Sequence, residues 1–159
     1  MFIVRQILDN KGSDVWSVGP HDSIYTALEL MAEKNIGAVL VMDGERLVGI
    51  FSERDYARKI ILHGKASRDT PVSEAMTTRV FAVRPDQPVG GCMALMTEKR
   101  IRHLPVMRDN RVVGVISIGD VVKALIMQQE NTIQHLEEYI TTGHPEISKL
   151  PEKADELDV

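Results

Sequence analysis

The chain has 159 residues and a formal net charge of −4 at pH 7, with 43% hydrophobic and 4% aromatic residues. This length suits one compact domain or two small half-domains that share a core. The acidic charge and the scarcity of aromatic residues argue against a nucleic-acid-binding protein, and no apolar run approaches the roughly 18 residues that span a membrane.

In chain order, a short helix is predicted over residues 3–8, followed by a turn over residues 9–12. A first set of elements then reads strand, helix, strand, strand, helix, because apolar residues alternate in the strands and recur every three to four positions in the helices. Its strands are predicted at 15–18, 39–42 and 47–51, and its helices at 24–32 and 53–62. Asp43-Gly44-Glu45 is typical of a hairpin turn, and Ser52 is typical of a helix N-cap.

The same order of elements returns after a linker in which Thr70-Pro71 starts a short helix. The second set has predicted strands at 80–83, 104–107 and 112–116 and helices at 89–99 and 118–140. The acidic, proline-containing C-terminal end is predicted to be mobile. We therefore divide the chain into a lead-in, a first repeat, a linker, a second repeat and a tail, at residues 1–14, 15–64, 65–79, 80–140 and 141–159.

The two sets of elements are copies of one sequence. Residues 15–60 align with residues 80–125 at a constant offset of 65 without a gap, and fifteen positions are identical. A repeat of this kind usually folds as one supersecondary unit, and the cleft between two units is a natural ligand site. We predict an α+β fold of α/β type, in which two tandem β-α-β-β-α units pack about a pseudo-twofold axis.

Each copy ends in a motif in which an apolar strand with a glycine leads into Ser-x-x-Asp. The motif is Ser52 to Asp55 in the first copy and Ser117 to Asp120 in the second. A carboxylate one turn into a helix can accept two hydrogen bonds from a ribose diol, and the serine hydroxyl can bond a phosphate oxygen. A capping box is the alternative for either motif alone. Duplication at equivalent positions favours a ligand site.

This pattern over residues 15–125 closely resembles the tandem cystathionine-β-synthase (CBS) domain pair. The matching features are the doubled unit, the Ser-x-x-Asp ending of each copy and the stretch Ile101-Arg102-His103-Leu104-Pro105-Val106. Residues 4–8 and 134–140 also resemble the small stand-alone bacterial members of the family. The resemblance implies a regulatory module without catalysis, which binds adenosyl ligands such as AMP, ATP, NAD(H) or S-adenosylmethionine between the repeats.

The resemblance also implies roles for individual residues. Asp55 and Asp120 would hold ribose hydroxyls in two sites, and Ser52 and Ser117 would face phosphate. The adenine of the first site would lie against Val15, Ile36, Gly37 and Ala38, and that of the second against Thr78, Val80, Arg102, His103, Leu104 and Pro105. Arg54 and His103 are further candidates for phosphate contact, and the space at Gly119 would admit a larger ligand such as a dinucleotide.

The resemblance further implies a homodimer, and an apolar row on two helices is a candidate interface. The row consists of Ile60, Ile61, Leu62, Val121, Val122, Leu125 and Ile126. The alternative is that these residues fill the protein's own core. The process regulated and the partner protein are not encoded in any recognisable motif.

Two other functions remain open. One is a protein-interaction scaffold with vestigial nucleotide sites. The other, less favoured because no acidic cluster surrounds the predicted phosphate site, is an enzyme acting on a nucleotide. The five histidines match no metal-ligand spacing, so no metal site is predicted. Cys92 is the only cysteine and Arg5 ends the apolar N-terminal run, so we expect a soluble, cytoplasmic protein.

Overall fold

The computed structural model describes residues 1–142. The mobile tail predicted for residues 141–159 therefore lies outside the described residues, except for Thr141 and Thr142, which belong to the last helix. The described helices are α1 (Val4–Lys11), α2 (Ile24–Lys34), α3 (Glu53–Asp55), α4 (Val89–Lys99) and α5 (Ile118–Thr142). A π-helical stretch, Tyr56–Ile61, continues α3, and a 3-10 helix covers Val72–Glu74. The strands are β1 (Ser17–Val18), β2 (Ala38–Asp43), β3 (Arg46–Ser52), β4 (His103–Arg108) and β5 (Arg111–Ser117).

Each repeat is built on an antiparallel hairpin. In repeat 1, β1 pairs parallel to β2, and β2 pairs antiparallel to β3. In repeat 2, β4 and β5 form the equivalent hairpin. Its turn residues Asp109 and Asn110 both have positive φ, as the tight turn between right-twisted strands requires, whereas Gly44 supplies the positive φ in repeat 1. The predicted α+β fold with two tandem repeats is confirmed.

The predicted strand over residues 80–83 is wrong. Only Val83 pairs with repeat 2, through a single parallel bridge to Val106. In repeat 1, the Leu40 amide donates a 3.2 Å hydrogen bond to the carbonyl of Trp16, which helps to form β1. The position equivalent to Leu40 is Pro105, which has no N–H to donate. One residue difference therefore removes a strand from the second copy.

The first helix is longer than predicted. The turn expected over residues 9–12 is helical as far as Lys11, and α1 ends at Gly12, whose φ is +100°. The Gly12 amide donates to the carbonyl of Leu8 at 2.8 Å. This extra turn carries Lys11 toward repeat 2, with consequences for the site described below.

Two hydrophobic cores form, and each is completed by the segment that precedes the other repeat. α1 contributes Val4, Ile7 and Leu8 to the core of repeat 2. The linker contributes Val72 and Ala75 to the core of repeat 1. The N-terminal lead-in and the linker therefore cross over and tie the repeats together.

Two strand glycines accommodate these crossing segments. A Cβ on Gly114 of β5 would lie 2.7 Å from Leu8, and a Cβ on Gly49 of β3 would lie 2.6 Å from the sulfur of Met76. The equivalent strands β3 and β5 also contact each other, as a twofold relationship between the repeats requires. The cleft on either side of this contact is walled by both repeats. Among the described residues, no helix has the length and apolar character needed to cross a bilayer.

Candidate functional site

Two cavities lie between the repeats, and each contains one of the two Ser-x-x-Asp motifs. The Asp120 cavity has a volume of about 460 Å³, and the Asp55 cavity of about 560 Å³. Both volumes are in the range of small-molecule sites. The two cavities share Gly37, Ile50, His103 and Ser117 as lining residues, so that they adjoin.

Each cavity combines the motif of one repeat with the strand entry of the other. Ser117 and Asp120 line the first cavity together with Ile36, Gly37 and Ala38. The second cavity is lined from repeat 1 by Ser52, Arg54 and Asp55, and from repeat 2 by Val80, Arg102, His103 and Gly119. Asp120 therefore lies with the predicted adenine residues of repeat 1, and Asp55 with those of repeat 2. The repeats pack so that the Ser-x-x-Asp motif of each repeat faces the other repeat.

Four predicted contact residues do not line either cavity. Leu104 is fully buried in the core of repeat 2, and Pro105 is buried beside it. Val15 lies two residues before β1, and Thr78 lies in a tight turn in which the Val80 amide donates to the Thr78 carbonyl at 3.1 Å. The residues on either side of each face the cavities instead: Asp14, Trp16, Thr77 and Arg79. The cavities are therefore lined by sequence neighbours of Val15 and Thr78.

The motif of repeat 1 is closed by its own hydrogen bonds. One Asp55 carboxylate oxygen accepts from the backbone amide and the hydroxyl of Ser52, both at 3.0 Å. The other oxygen accepts from the hydroxyl of Thr77 and from the ammonium of Lys59, also at 3.0 Å. An ionised carboxylate has about four acceptor positions, so all of them are occupied. The Asp55 side chain is only 9% exposed.

The motif of repeat 2 is open by comparison. A single carboxylate oxygen of Asp120 accepts from the Ser117 amide at 2.8 Å and from the Lys11 ammonium at 2.7 Å. The side chain is 23% exposed. The Ser117 hydroxyl accepts from the Asp120 amide, and its side chain also forms a hydrogen bond with the Asp120 carboxylate. Asp120 therefore keeps hydrogen-bonding capacity for a ligand, whereas Asp55 has used its own.

Lys11 is the principal site residue that sequence analysis missed. Its ammonium also donates to the carbonyl of Val115 at 2.9 Å, so that α1 is fixed to the end of β5. Burial alone would raise the pKa of Asp120, but the hydrogen bonds from Lys11 and Ser117 and the Lys11 charge outweigh it and lower the pKa. Asp120 is therefore ionised at neutral pH. Lys11 could have been found by extending the predicted helix from residue 8 to residue 11.

His103 lies on the wall between the cavities. A Cβ on Gly37 would be 3.5 Å from the imidazole, so the ring lies against the backbone of β2's entry. Burial lowers the pKa of His103; Glu53 and Asp120 oppose this effect, while Lys11 and Arg102 add to it. The imidazole is therefore neutral at pH 7. It can donate or accept hydrogen bonds from a ligand in either cavity.

Comparison with known proteins identifies the fold and the repeat. A sequence model of the CBS domain matches residues 4–62 and 72–127. The chain is 42% identical over 138 residues to the CBS domain-containing protein CBSX3, mitochondrial, of Arabidopsis thaliana. This match covers 84% of the chain and 66% of the Arabidopsis protein, so the chain spans just under two thirds of that relative's length.

Solved structures give the same assignment. A protein with CBS domains from Burkholderia ambifaria MC40-6 is 50% identical, with a TM-score of 0.78, and the match covers 80% of this chain and 96% of that one. The CBS domain pair of MJ0100, solved with 5′-methylthioadenosine and S-adenosyl-L-methionine, is 25% identical. Its TM-score is 0.71, with 80% of this chain and 98% of that chain covered. The chain belongs to the CBS domain family, as a tandem pair of CBS domains, which is a regulatory module.

Proposed function

We propose that the protein is a non-catalytic sensor that binds an adenosine-containing ligand in the Asp120 cavity. The observation that carries this proposal is the open motif: Asp120 is ionised and part-exposed, and the Ser117 amide and the Lys11 ammonium both bond the same one of its two carboxylate oxygens. The free acceptor positions of Asp120 suit the two hydroxyls of a ribose. Binding of adenosyl ligands by the related MJ0100 pair supports the same ligand class.

The remaining walls of the cavity suit an adenine ring. Ile36 and Trp16 provide apolar and aromatic surface, and Gly37 and Ala38 also line this cavity. Lys34 lies 4.2 Å from the centre of the Trp16 ring and holds that ring in place by a cation–π contact. The candidate ligands are AMP, ATP, NAD(H) and S-adenosylmethionine, which share the adenosine half.

The signal would be a change in the arrangement of the repeats. Because the Asp120 cavity takes walls from both repeats, a ligand favours the arrangement in which those walls are closest. Lys11 adds a second route, since a ligand at Asp120 meets the residue that fixes α1 to repeat 2. A partner protein that binds one arrangement better than the other would then respond to ligand concentration.

Calorimetric titration tests this function. Nucleotide-free protein is titrated with AMP, ATP, NAD⁺, NADH and S-adenosylmethionine, beside Asp120→Asn and the control Asp109→Asn in the exposed β4–β5 turn. We expect saturable binding of at least one ligand, weakened roughly tenfold or more by Asp120→Asn and unchanged by the control. Absence of binding by all five would overturn the proposal and favour an interaction scaffold. Turnover of a bound nucleotide would show an enzyme instead.

We also propose that the protein forms a homodimer through the exposed part of the predicted apolar row. Ile60 and Val121 are fully buried in the two cores, which removes them from the predicted row. Ile61 and Ile126, which are equivalent at the offset of 65, are 55% and 51% exposed. Two equivalent apolar positions on a pseudosymmetric body suit a second copy of the same chain.

The exposed face of α5 extends this surface in heptad spacing. Apolar side chains recur at intervals of four, seven, three and four residues, at Val122, Ile126, Ile133, Leu136 and Ile140, and all are at least 40% exposed. This is the spacing of a coiled-coil seam. Lys123 and Glu137 flank it two heptads apart, so antiparallel pairing of two α5 helices places opposite charges together.

Light scattering after size-exclusion chromatography tests the dimer. Leu136→Glu puts a charge in the seam, whereas Asn131→Glu puts the same charge on the opposite face of α5 and is the matched control. We expect a dimer for the wild type and the control, and a monomer for Leu136→Glu. A monomeric wild type, or a Leu136→Glu protein that stays dimeric, would contradict this interface.

The proposed location is the cytoplasm. The single cysteine, Cys92, is buried and free, which fits a reducing compartment. The Arabidopsis relative carries the word mitochondrial in its name.

A further inference from the structure

Four arginines line the Asp55 cavity, and they come from both repeats. They are Arg54, Arg79, Arg100 and Arg102. Within residues 1–142, none of the four forms an ion pair with a carboxylate. Arg54 donates instead to the backbone carbonyl of Arg100 at 2.7 Å, which joins the two sides of the cavity. Several guanidinium groups without acidic partners in one cavity indicate an anionic ligand.

The acidic residues of this cavity oppose the arginines only weakly. Asp55 forms an ion pair with Lys59, and hydrogen bonds occupy its remaining acceptor positions, so its charge is already compensated. Glu53 is the other acid, and it lies near the His103 edge of the cavity. The field inside the cavity is therefore positive, and a phosphate chain is the chemical class that several guanidinium groups hold best.

The start of α5 adds to this field. Ile118 and Gly119, the first two residues of this 25-residue helix, line the same cavity. The positive end of the helix dipole lies there, and Gly119 has no side chain to cover it. The Ile118 amide donates to the carbonyl of Arg102 at 2.8 Å, which fixes the backbone of Arg102 beside the helix end.

The Asp120 cavity has the opposite balance. Its one lysine, Lys11, is bonded to Asp120 at 2.7 Å, and Asp14 is a second acid on the same wall. Among residues 1–142, no arginine lines it. A chain of phosphates placed there would meet two carboxylates and only one cation that is already paired.

We propose that the two cavities divide ligands by charge: the Asp55 cavity binds a polyphosphate group, and the Asp120 cavity, among the adenosine-containing candidates, favours those with little or no negative charge. The Asp120 half of this statement rests on the proposed function, whereas the Asp55 half does not. The polyphosphate is either inorganic or part of a nucleotide. In both cases the arginines, and not Asp55, recognise it.

Titration with sodium tripolyphosphate, ATP and adenosine tests the division. We expect tripolyphosphate to bind one site per chain, with an affinity that falls as salt rises. The double variant Arg79→Gln/Arg102→Gln should lose at least tenfold in that affinity, and the control Arg108→Gln, on the exposed end of β4, should not. Asp120→Asn should leave tripolyphosphate binding unchanged. ATP binding much tighter than tripolyphosphate identifies a nucleotide source, and equal affinities identify an inorganic one; either result supports the arginine site.

Two outcomes overturn the division. One is a double arginine variant that binds tripolyphosphate as the wild type does, or a wild type that does not bind it. The other is mutual exclusion of adenosine and tripolyphosphate, which would show one site in place of two. If the wild type binds tripolyphosphate but not adenosine, only the proposed function is contradicted. The failure of the proposed function and the failure of the arginine site are therefore distinguishable. Unfolding curves in urea for each variant exclude misfolding as the cause.

Discussion

The Lys11 ammonium lies 2.7 Å from the Asp120 carboxylate, although 109 positions separate the two residues. The pair connects the end of α1 to the first turn of α5. It therefore joins the lead-in of repeat 1 to the motif of repeat 2, at the edge of the cavity in which we place the ligand. A contact between distant chain segments at a ligand site is a point where binding and folding stability are linked.

Removal of Lys11 should weaken folding slightly. Both side chains are part-exposed, at 39% and 23%, so solvent screens the pair and Lys11→Met should cost about 0.2–1 kcal/mol of unfolding free energy. The measurement is urea unfolding, with Arg5→Met on the same helix as the control. In a double-mutant cycle with Asp120→Asn, the coupling should have the same size. A coupling energy of zero would show that the contact contributes nothing.

The contribution of this pair should depend on pH in a defined window. The folded-state pKa of Asp120 is lowered, so its stabilising effect is present above its unfolded value of about 3.9 and is lost as pH falls through the folded pKa. The stability difference between wild type and Lys11→Met should be constant from pH 5 to 8, and it should shrink below about pH 4. A difference that persists unchanged in acid would assign it to packing of the lysine stem.

His103 should make the protein less stable as the solution becomes mildly acidic. Its folded-state pKa is lowered by burial, against Glu53 and Asp120 and together with Lys11 and Arg102. The unfolded chain then binds more protons, so stability falls as pH drops below about 6.5. His103→Gln should reduce this dependence between pH 7.5 and 5.5, and the exposed control His21→Gln should not. Equal pH profiles for all three proteins would refute the role of His103.

The strand glycines should tolerate no side chain. Gly114→Ala places a Cβ 2.7 Å from Leu8, and Gly49→Ala places one 2.6 Å from Met76 and 3.1 Å from a backbone oxygen. Each should destabilise the fold by about 1–3 kcal/mol. Gly90→Ala in α4 is the control, since a Cβ there would meet no other described part of the molecule within 4 Å, apart from its own chain neighbours and helix backbone. That variant should gain up to about 1 kcal/mol. Thermal unfolding of the three variants provides the comparison.

Local patterns in the sequence predicted most of the fold. The elements of both hairpins and α4 were found because their apolar periodicity and turn residues act over a few positions. The strand predicted at residues 80–83 is absent because Pro105 has no N–H to donate to it. This effect of Pro105 depends on which segment lies beside it. Pairing partners are set by the tertiary structure, and a single copy of the pattern does not reveal them.

The site was predicted less completely than the fold. Ser52, Asp55, Ser117 and Asp120 were found because the repeat doubles them. The difference between the two motifs was not predicted. It arises because Asp55 is bonded by Thr77 of the linker and by Lys59, whereas Asp120 is bonded by Lys11. Some of these contacts join segments that are distant in the sequence. Others depend on side-chain directions that the packing of the folded protein sets. Tertiary packing also explains why each motif lines a cavity together with residues of the other repeat.

The central claim, that an adenosine ligand binds at Asp120, is tested most directly by nuclear magnetic resonance. Adenosine, AMP and ATP are added in turn to ¹⁵N-labelled protein, and the backbone amide signals are followed. We predict saturable shifts centred on Gly37, Ser117 and Asp120, which are lost in the Asp120→Asn variant. Shifts confined to residues outside the two cavities, or none with any of the three ligands, would contradict it.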